Sequence, residues 1–268
     1  MGKDNNIYEP ELVIGDFLKE YKNHIDKKSV DLVLTDMPYG IFTDNKDITG
    51  VEDPKINILE LNDVLDYILK DNGYFLTFCN LKLMIELMKG LEGFQFHYEY
   101  VCFKNNGMPA GPTHPIHNIE YVAAFYKNSA KPTDLTFNPR ETGIVKDPYV
   151  KPNKNRNHST RKMKKRKCDT NKTGKRFIKQ SIQMNSKCNL PKQERTPHTL
   201  QKPEKVLRRF IRIHSNEGDL VCDGFVGSGS TLVAAYKEKR RSIGFEIDKR
   251  WYDVAEDRIE SMIENRSE

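Results

Sequence analysis

At 268 residues, with 37% hydrophobic and 31% charged residues, the chain can bury one substantial core and a smaller appended region. No apolar run approaches the roughly 20 residues of a membrane span, and the opening MGKDNNIYEPELVIGD lacks the apolar heart of a signal peptide, so a soluble cytoplasmic protein with no membrane partner is expected. The net charge of +6 hides an asymmetry: residues 151–187 hold fourteen Lys or Arg and one acid, Asp169, so that segment carries +13 and the other 231 residues carry −7. A basic block on an otherwise acidic chain has the form of a polyanion footprint, although "RKMKKRK" alone is as often a solvated loop.

In chain order, residues 12–14 read as a short strand, followed by Gly15-Asp16 and an amphipathic stretch over 17–25. Residues 30–35 form a strand with apolar residues on both faces, as in a parallel sheet covered by helices. Residues 57–69 have helical spacing, Gly73 interrupts, and 74–79 resume as a strand. A helix over 81–91 precedes two strands, 96–103 and 119–126, separated by a Gly/Pro-rich loop over 105–115. From about 128 to 196 prolines, asparagines and cations replace apolar periodicity, which suggests an insertion. Order returns with a helix over 203–214, a strand over 220–222, a helix over 231–239, a strand over 242–247 and a final helix over 251–263. Strands alternating with helices predict an α/β sheet.

Five cysteines form an odd set with no CxxC pair. Cys79, Cys102 and Cys222 sit in apolar runs and read as small buried hydrophobes in a reducing compartment. Cys168 and Cys188 with His158 and His198 match no standard zinc spacing, so no metal is expected.

Two stretches carry chemistry. In "GDLVCDGFVGSGSTLVAA" a strand ends at Asp223 and a helix opens near Thr231. Between them Gly227 and Gly229 let a ligand approach the backbone, and the helix N-terminus offers free amides. Dinucleotide, phosphate and S-adenosylmethionine sites share such loops. The next strand, in "RSIGFEIDKRWYD", ends on Glu246, where an acid typically accepts from ribose hydroxyls, and "GSGST" lacks the lysine of a nucleoside-triphosphate loop. In "VDLVLTDMPYG" a buried strand stops on an acid, a proline and an aromatic ring.

"DMPY", Asp36 to Tyr39, resembles the DPPY motif of amino-group DNA methyltransferases. "DGFVGSGST" resembles their DPFxGxGT cofactor loop, and "HTLQKPEKVLRRFI" their HxTQKP segment. With the tetrapeptide near residue 36 and the glycine loop near residue 227, the order is similar to the permuted β class. The resemblance implies a Rossmann-like sheet with helices on both faces. It divides the chain into a catalytic part (1–128), a basic target-recognition insertion (129–196) and a cofactor-binding part (197–268). It also implies site-specific methylation of adenine N6 in double-stranded DNA from S-adenosylmethionine. Cytosine N4 is the alternative, and a DNA-binding protein that keeps the fold without activity is a third.

In that resemblance Asp36 and the Met37 carbonyl accept the two hydrogens of the target amine, localising a lone pair otherwise delocalised into the ring. Pro38 holds the motif extended, and Tyr39 stacks on the flipped base. Asp223, Phe225, Gly227, Ser228, Gly229 and Thr231 surround the cofactor, with Glu246 on its ribose. Asp16 meets its adenosine part, or merely caps a helix. His198 and Lys202 lie near its methionine end. Arg161, Lys162, Lys164, Lys165, Arg166, Lys167, Lys175 and Arg176 face the DNA. Glu120 is given no role. A homodimer and a cognate restriction endonuclease are the further partners the resemblance suggests. Two residues depart from the motifs: Met37 replaces a proline without loss of its carbonyl, and Gly224 replaces another, which should loosen the cofactor loop.

Overall fold

Residues 8–40, 54–108, 112–113, 115–139, 149–150, 170–171 and 178–265 are described by a computed structural model. In the first half, β1 (Glu11–Ile14) leads into α1 (Phe17–His24), then β2 (Val30–Thr35), α2 (Ile58–Ile68), β3 (Leu69–Cys79) and α3 (Leu81–Gly90). Two long strands follow, β4 (Phe94–Met108) and β5 (His117–Lys127). Within the expected insertion are the paired β6 (Tyr149–Val150) and β7 (Thr170–Asn171), and β8 (Ser181–Gln183). The remainder comprises α4 (Glu204–His214), β9 (Leu220–Asp223), α5 (Ser230–Lys237), β10 (Arg241–Glu246) and α6 (Lys249–Glu264).

Eight strands form one sheet in the order β1-β10-β9-β2-β3-β5-β4-β8. Neighbours from β1 to β3 run parallel, and β5 is antiparallel to both β3 and β4. The pleat sorts each strand between two cores. Val33, Phe75, Ala123 and Phe125 pack with α1, α2 and α3, through Phe17, Leu61, Leu65 and Leu87. Leu32, Leu34, Leu76, Val122 and Ala124 pack on α4 and α5, through Leu207, Phe210, Ile211 and Ala234. Short polar side chains start the helices by accepting an amide hydrogen that the first turn leaves unpaired: Asp16 from Leu18, Asn57 from Leu59, Asn80 from Leu83 and Asp248 from Arg250.

One expectation is corrected. Gly73 does not separate helix from strand. β3 begins at Leu69 and runs through it, with a register shift between Val30↔Leu69 and Leu32↔Tyr74. A Cβ at Gly73 would come within 2.9 Å of Leu69 Cδ2 and 3.0 Å of Asp31 O, so the glycine permits close strand approach. Both ends of 129–196 meet the sheet: Leu135, Ile182 and Met184 join the α4-side core, β8 pairs with β4, and the Asn138 amide donates to Ile213 O at the end of α4. These anchors are single apolar residues spaced too irregularly to give a period.

The parallel strands deliver Ile14, Glu246, Asp223 and Thr35 to one edge of the sheet. This carboxyl-end edge is where open α/β sheets place ligand sites.

Candidate active site

Between β9 and α5 the chain turns on two left-handed glycines, Gly227 (φ 55°) and Gly229 (φ 78°). The second is the N-cap of α5 and supplies no side chain to its first amides, which leaves donors for an anionic or polar ligand. The loop is held from three sides. Asp223 Oδ1 accepts from Phe225 N at 3.0 Å and from Thr35 Oγ1 at 2.6 Å. Glu246 accepts from Gly227 N at 2.7 Å and Asp248 N at 2.9 Å. Arg258 of α6 donates to Ser228 O at 3.0 Å and Ser230 Oγ at 2.8 Å. Burial pushes Asp223 up to about 6, against the bonds from Thr35, Thr231 and Phe225 N, and burial likewise raises Glu246.

Gly224 has a packing reason. A Cβ there would lie 2.3 Å from Phe17 Cδ1, so the α1 ring occupies the space that any larger residue needs. Phe225 meets the same ring edge-on, with centroids 6.0 Å apart, and is partly buried. Asp16 caps α1 and pairs with Lys19 at 3.0 Å. Its neighbour Gly15 donates to Glu246 O.

At the tip of β2, Met37 is buried in the core, while Asp36 and Tyr39 turn into a polar cluster. Tyr39 Oη donates to Asp36 Oδ1 at 3.0 Å and lies 2.9 Å from Glu120 Oε1 of β5. Lys202 Nζ sits between the two acids, 2.7 Å from Asp36 Oδ2 and 2.9 Å from Glu120 Oε1, with the Phe78 ring 5.0 Å away. Lys104 Nζ approaches Glu120 Oε2 at 3.5 Å. Burial raises the Asp36 carboxyl against the pull of Lys202, and Glu120 adds to the rise. Burial would also raise Glu120, but Lys202 and Lys104 outweigh it and bring it below the ordinary range. Burial works against the Lys202 ammonium, yet Asp36 and Glu120 hold its proton above the usual lysine value.

His198 packs against the glycine loop: a Cβ at Gly227 would be 3.1 Å from its Nε2, and the Trp251 ring meets it edge-on at 4.5 Å. Burial, with Lys187 and Lys202 nearby, lowers it to about 4, so it is neutral near pH 7.

The structure thus brings Asp36, Tyr39, Asp223, Glu246, Lys202, His198 and the glycine loop to one edge. It places Lys202 against Asp36 and Asp16 at a helix cap. Arg161, Lys162, Lys164, Lys165, Arg166, Lys167, Lys175 and Arg176 lie outside the described residues. Sequence reasoning missed Glu120, whose signal was an acid entering an apolar strand in "HNIEYV". It missed Arg258, which carries no signal. Ile14, paired with Glu246 across the strands, and Ile247, which follows it, are 48% and 70% exposed.

Residues 30–257 match the sequence model of the DNA methylase family. The chain belongs to this family. Its members are S-adenosylmethionine-dependent DNA amino-methyltransferases, acting on adenine N6 or cytosine N4. The type II methyltransferase M.HpaI of Haemophilus parainfluenzae is 27% identical over 266 residues, covering 93% of this chain and 74% of its own. The M1.HpyAVI–SAM complex has a TM-score of 0.60 at 21% identity, over 93% of this chain and 99% of that one. The PvuII DNA methyltransferase (cytosine-N4-specific) has a TM-score of 0.64 at 16% identity, over 96% of this chain and 90% of that one. These two structural likenesses bear on the fold.

Proposed function

We propose that this DNA methyltransferase acts on N6 of an adenine rotated out of duplex DNA. The observation that carries the proposal is the placement of Asp36 and Tyr39 at the tip of β2, with Thr35 bonded directly to Asp223 at the foot of the glycine loop. Acceptor and cofactor sites are therefore adjacent. An acid at the first motif position, where a serine is more usual for cytosine, favours adenine.

The edge suits the cofactor: left-handed glycines and an uncapped helix offer amides, Glu246 keeps lone pairs for ribose hydroxyls, and exposed Ile14 and Ile247 give the adenine an apolar bed. Bound there, S-adenosylmethionine supplies an electrophilic methyl group on a sulfonium. Asp36 and the Met37 carbonyl accept the two amine hydrogens and turn its lone pair toward that carbon. The methyl carbon would pass from sulfur to that nitrogen, the C–S pair staying on sulfur. The extra amine proton leaves through Asp36 to solvent. The gain is alignment and a localised lone pair. The basic residues 161–176 contact DNA phosphates, and a dimer or a partner endonuclease belongs to the same proposal.

The test is to incubate the protein with unmethylated genomic DNA and S-adenosylmethionine, then analyse the nucleosides by mass spectrometry. N6-methyldeoxyadenosine is expected. N4-methyldeoxycytidine would move the substrate to cytosine, and neither product, with cofactor binding intact, would leave a DNA-binding protein without activity.

A further inference from the structure

The polar cluster around Asp36 contains an arrangement that the reaction as described does not use. Tyr39 has one hydroxyl proton and two carboxylate acceptors within reach, Asp36 Oδ1 at 3.0 Å and Glu120 Oε1 at 2.9 Å. It can serve one at a time. Lys202 has three donors and spends two, on Asp36 Oδ2 and Glu120 Oε1. Asp36 Oδ1, the oxygen away from Lys202, is therefore the one a target amine must take, and Tyr39 must give it up.

We infer that Lys202 and Glu120 are positioning residues for Asp36. Lys202 anchors one carboxylate oxygen, and Glu120 receives the Tyr39 hydroxyl when the target amine occupies the other. This rests on the methyl-transfer function proposed above and adds two residues to it. The exchange keeps the Tyr39 ring tethered through base entry, because its hydroxyl moves between two acceptors fixed by a single ammonium.

Charge accounts for the pair. Asp36 and Glu120 are two acids set against Lys202 and, at 3.5 Å from Glu120, Lys104. The other ionisable groups facing Asp36 are Tyr39, the Cys79 thiol of β3, which burial pushes up to about 12 and so keeps neutral, and Asp223 of β9. Without Lys202, Asp36 would be a mostly buried carboxylate facing Glu120, and it would take up a proton. A protonated Asp36 is a poorer acceptor for the amine. Glu120 acts on Asp36 in the opposite sense, since its negative charge disfavours a second one nearby.

The two residues therefore have opposite signatures in a pH profile, which loss of packing would not produce. Single-turnover methyl transfer is measured from about pH 5 to 9 in the wild type, Lys202→Met, Lys202→Arg and Glu120→Gln. In Lys202→Met the acidic limb should move up by about one pH unit or more, a roughly tenfold loss of rate on that limb. The displacement should persist at saturating S-adenosylmethionine, and Lys202→Arg should restore the profile. In Glu120→Gln the limb should move down. Parallel profiles, or a Lys202→Met defect confined to cofactor affinity, would overturn the assignment. If Lys202→Met does not fold, an unmoved or raised limb in Glu120→Gln overturns it alone. Titration of the Asp36 carboxyl by carbon NMR, without DNA, reports the same displacements, so an inactive wild type counts against the proposed function and not against this placement.

Discussion

The Thr35 hydroxyl donates to Asp223 Oδ1 at 2.6 Å, fully buried, and so joins the end of the strand bearing DMPY to the end of the strand bearing the glycine loop. The two residues are far apart in sequence and adjacent only because β2 and β9 pair, Leu32 with Val221 and Val33 with Cys222. Thr35→Val keeps the shape and removes the donor, leaving a buried carboxylate short of one bond. It should lower unfolding free energy by about 1–3 kcal/mol in urea titrations, while Thr35→Ser stays near the wild type. A valine variant as stable as the wild type would remove this bond from the account.

Gly224 stands where the family has proline, and the sequence alone suggested a slacker loop. The Phe17 ring instead fills that space, 2.3 Å from where a Cβ would be. Restoring proline should therefore destabilise the fold by about 1–3 kcal/mol, as overpacking does. Gly224→Pro combined with Phe17→Leu should recover part of the loss. An unchanged melting temperature in Gly224→Pro alone would contradict the packing argument.

Beside its proposed ribose contact, Glu246 has a task in the fold. Its two oxygens fix Gly227 N and Asp248 N, so Glu246→Ala should weaken S-adenosylmethionine binding about tenfold or more by calorimetry, through lost ribose contacts and a released loop. Glu246→Gln retains one acceptor and should fall between. Unchanged affinity in the alanine variant would show that neither role matters for the cofactor.

His214, at the end of α4, is buried with its Nε2 3.0 Å from Tyr100 Oη and its ring edge-on to Tyr74. Burial, with His97 nearby, lowers it to about 3. A histidine depressed from the unfolded value of about 6.5 contributes stability that is complete above that value and lost as pH falls toward 3. Asp223, raised to about 6, runs the other way and favours the fold more as pH drops. The His214 contribution is isolated by comparison with His214→Gln. The difference in melting temperature should be widest near neutrality and close as pH approaches about 4. A constant gap would exclude the histidine as its source.

The strand and helix order was legible because apolar periodicity and glycine positions are local signals. Asp36, Asp223 and Glu246 were legible because each is an acid ending an apolar run. Strand pairing is not local, and that hid the rest. Nothing near Lys202 in "HTLQKP" indicates that its ammonium lies between an acid just past β2 and one in β5. Nor does the sequence near residue 224 reveal that Phe17 will pack on it. Asp16 was ambiguous between cap and ligand in the sequence, and its bond to Leu18 N satisfies the cap geometry. Gly73 misled because a glycine needed for close strand approach looks the same as one that ends a helix.

Asp36 is proposed to act on the target amine and to leave the cofactor site alone. The most direct measurement pairs radiolabelled methyl transfer to duplex DNA with calorimetric S-adenosylmethionine binding in Asp36→Ala. Transfer should fall by about a hundred- to a thousandfold, in line with removal of a group that acts on the reacting atom, with cofactor affinity close to the wild type. Transfer at a comparable rate, or loss of transfer fully explained by lost cofactor binding, would contradict it.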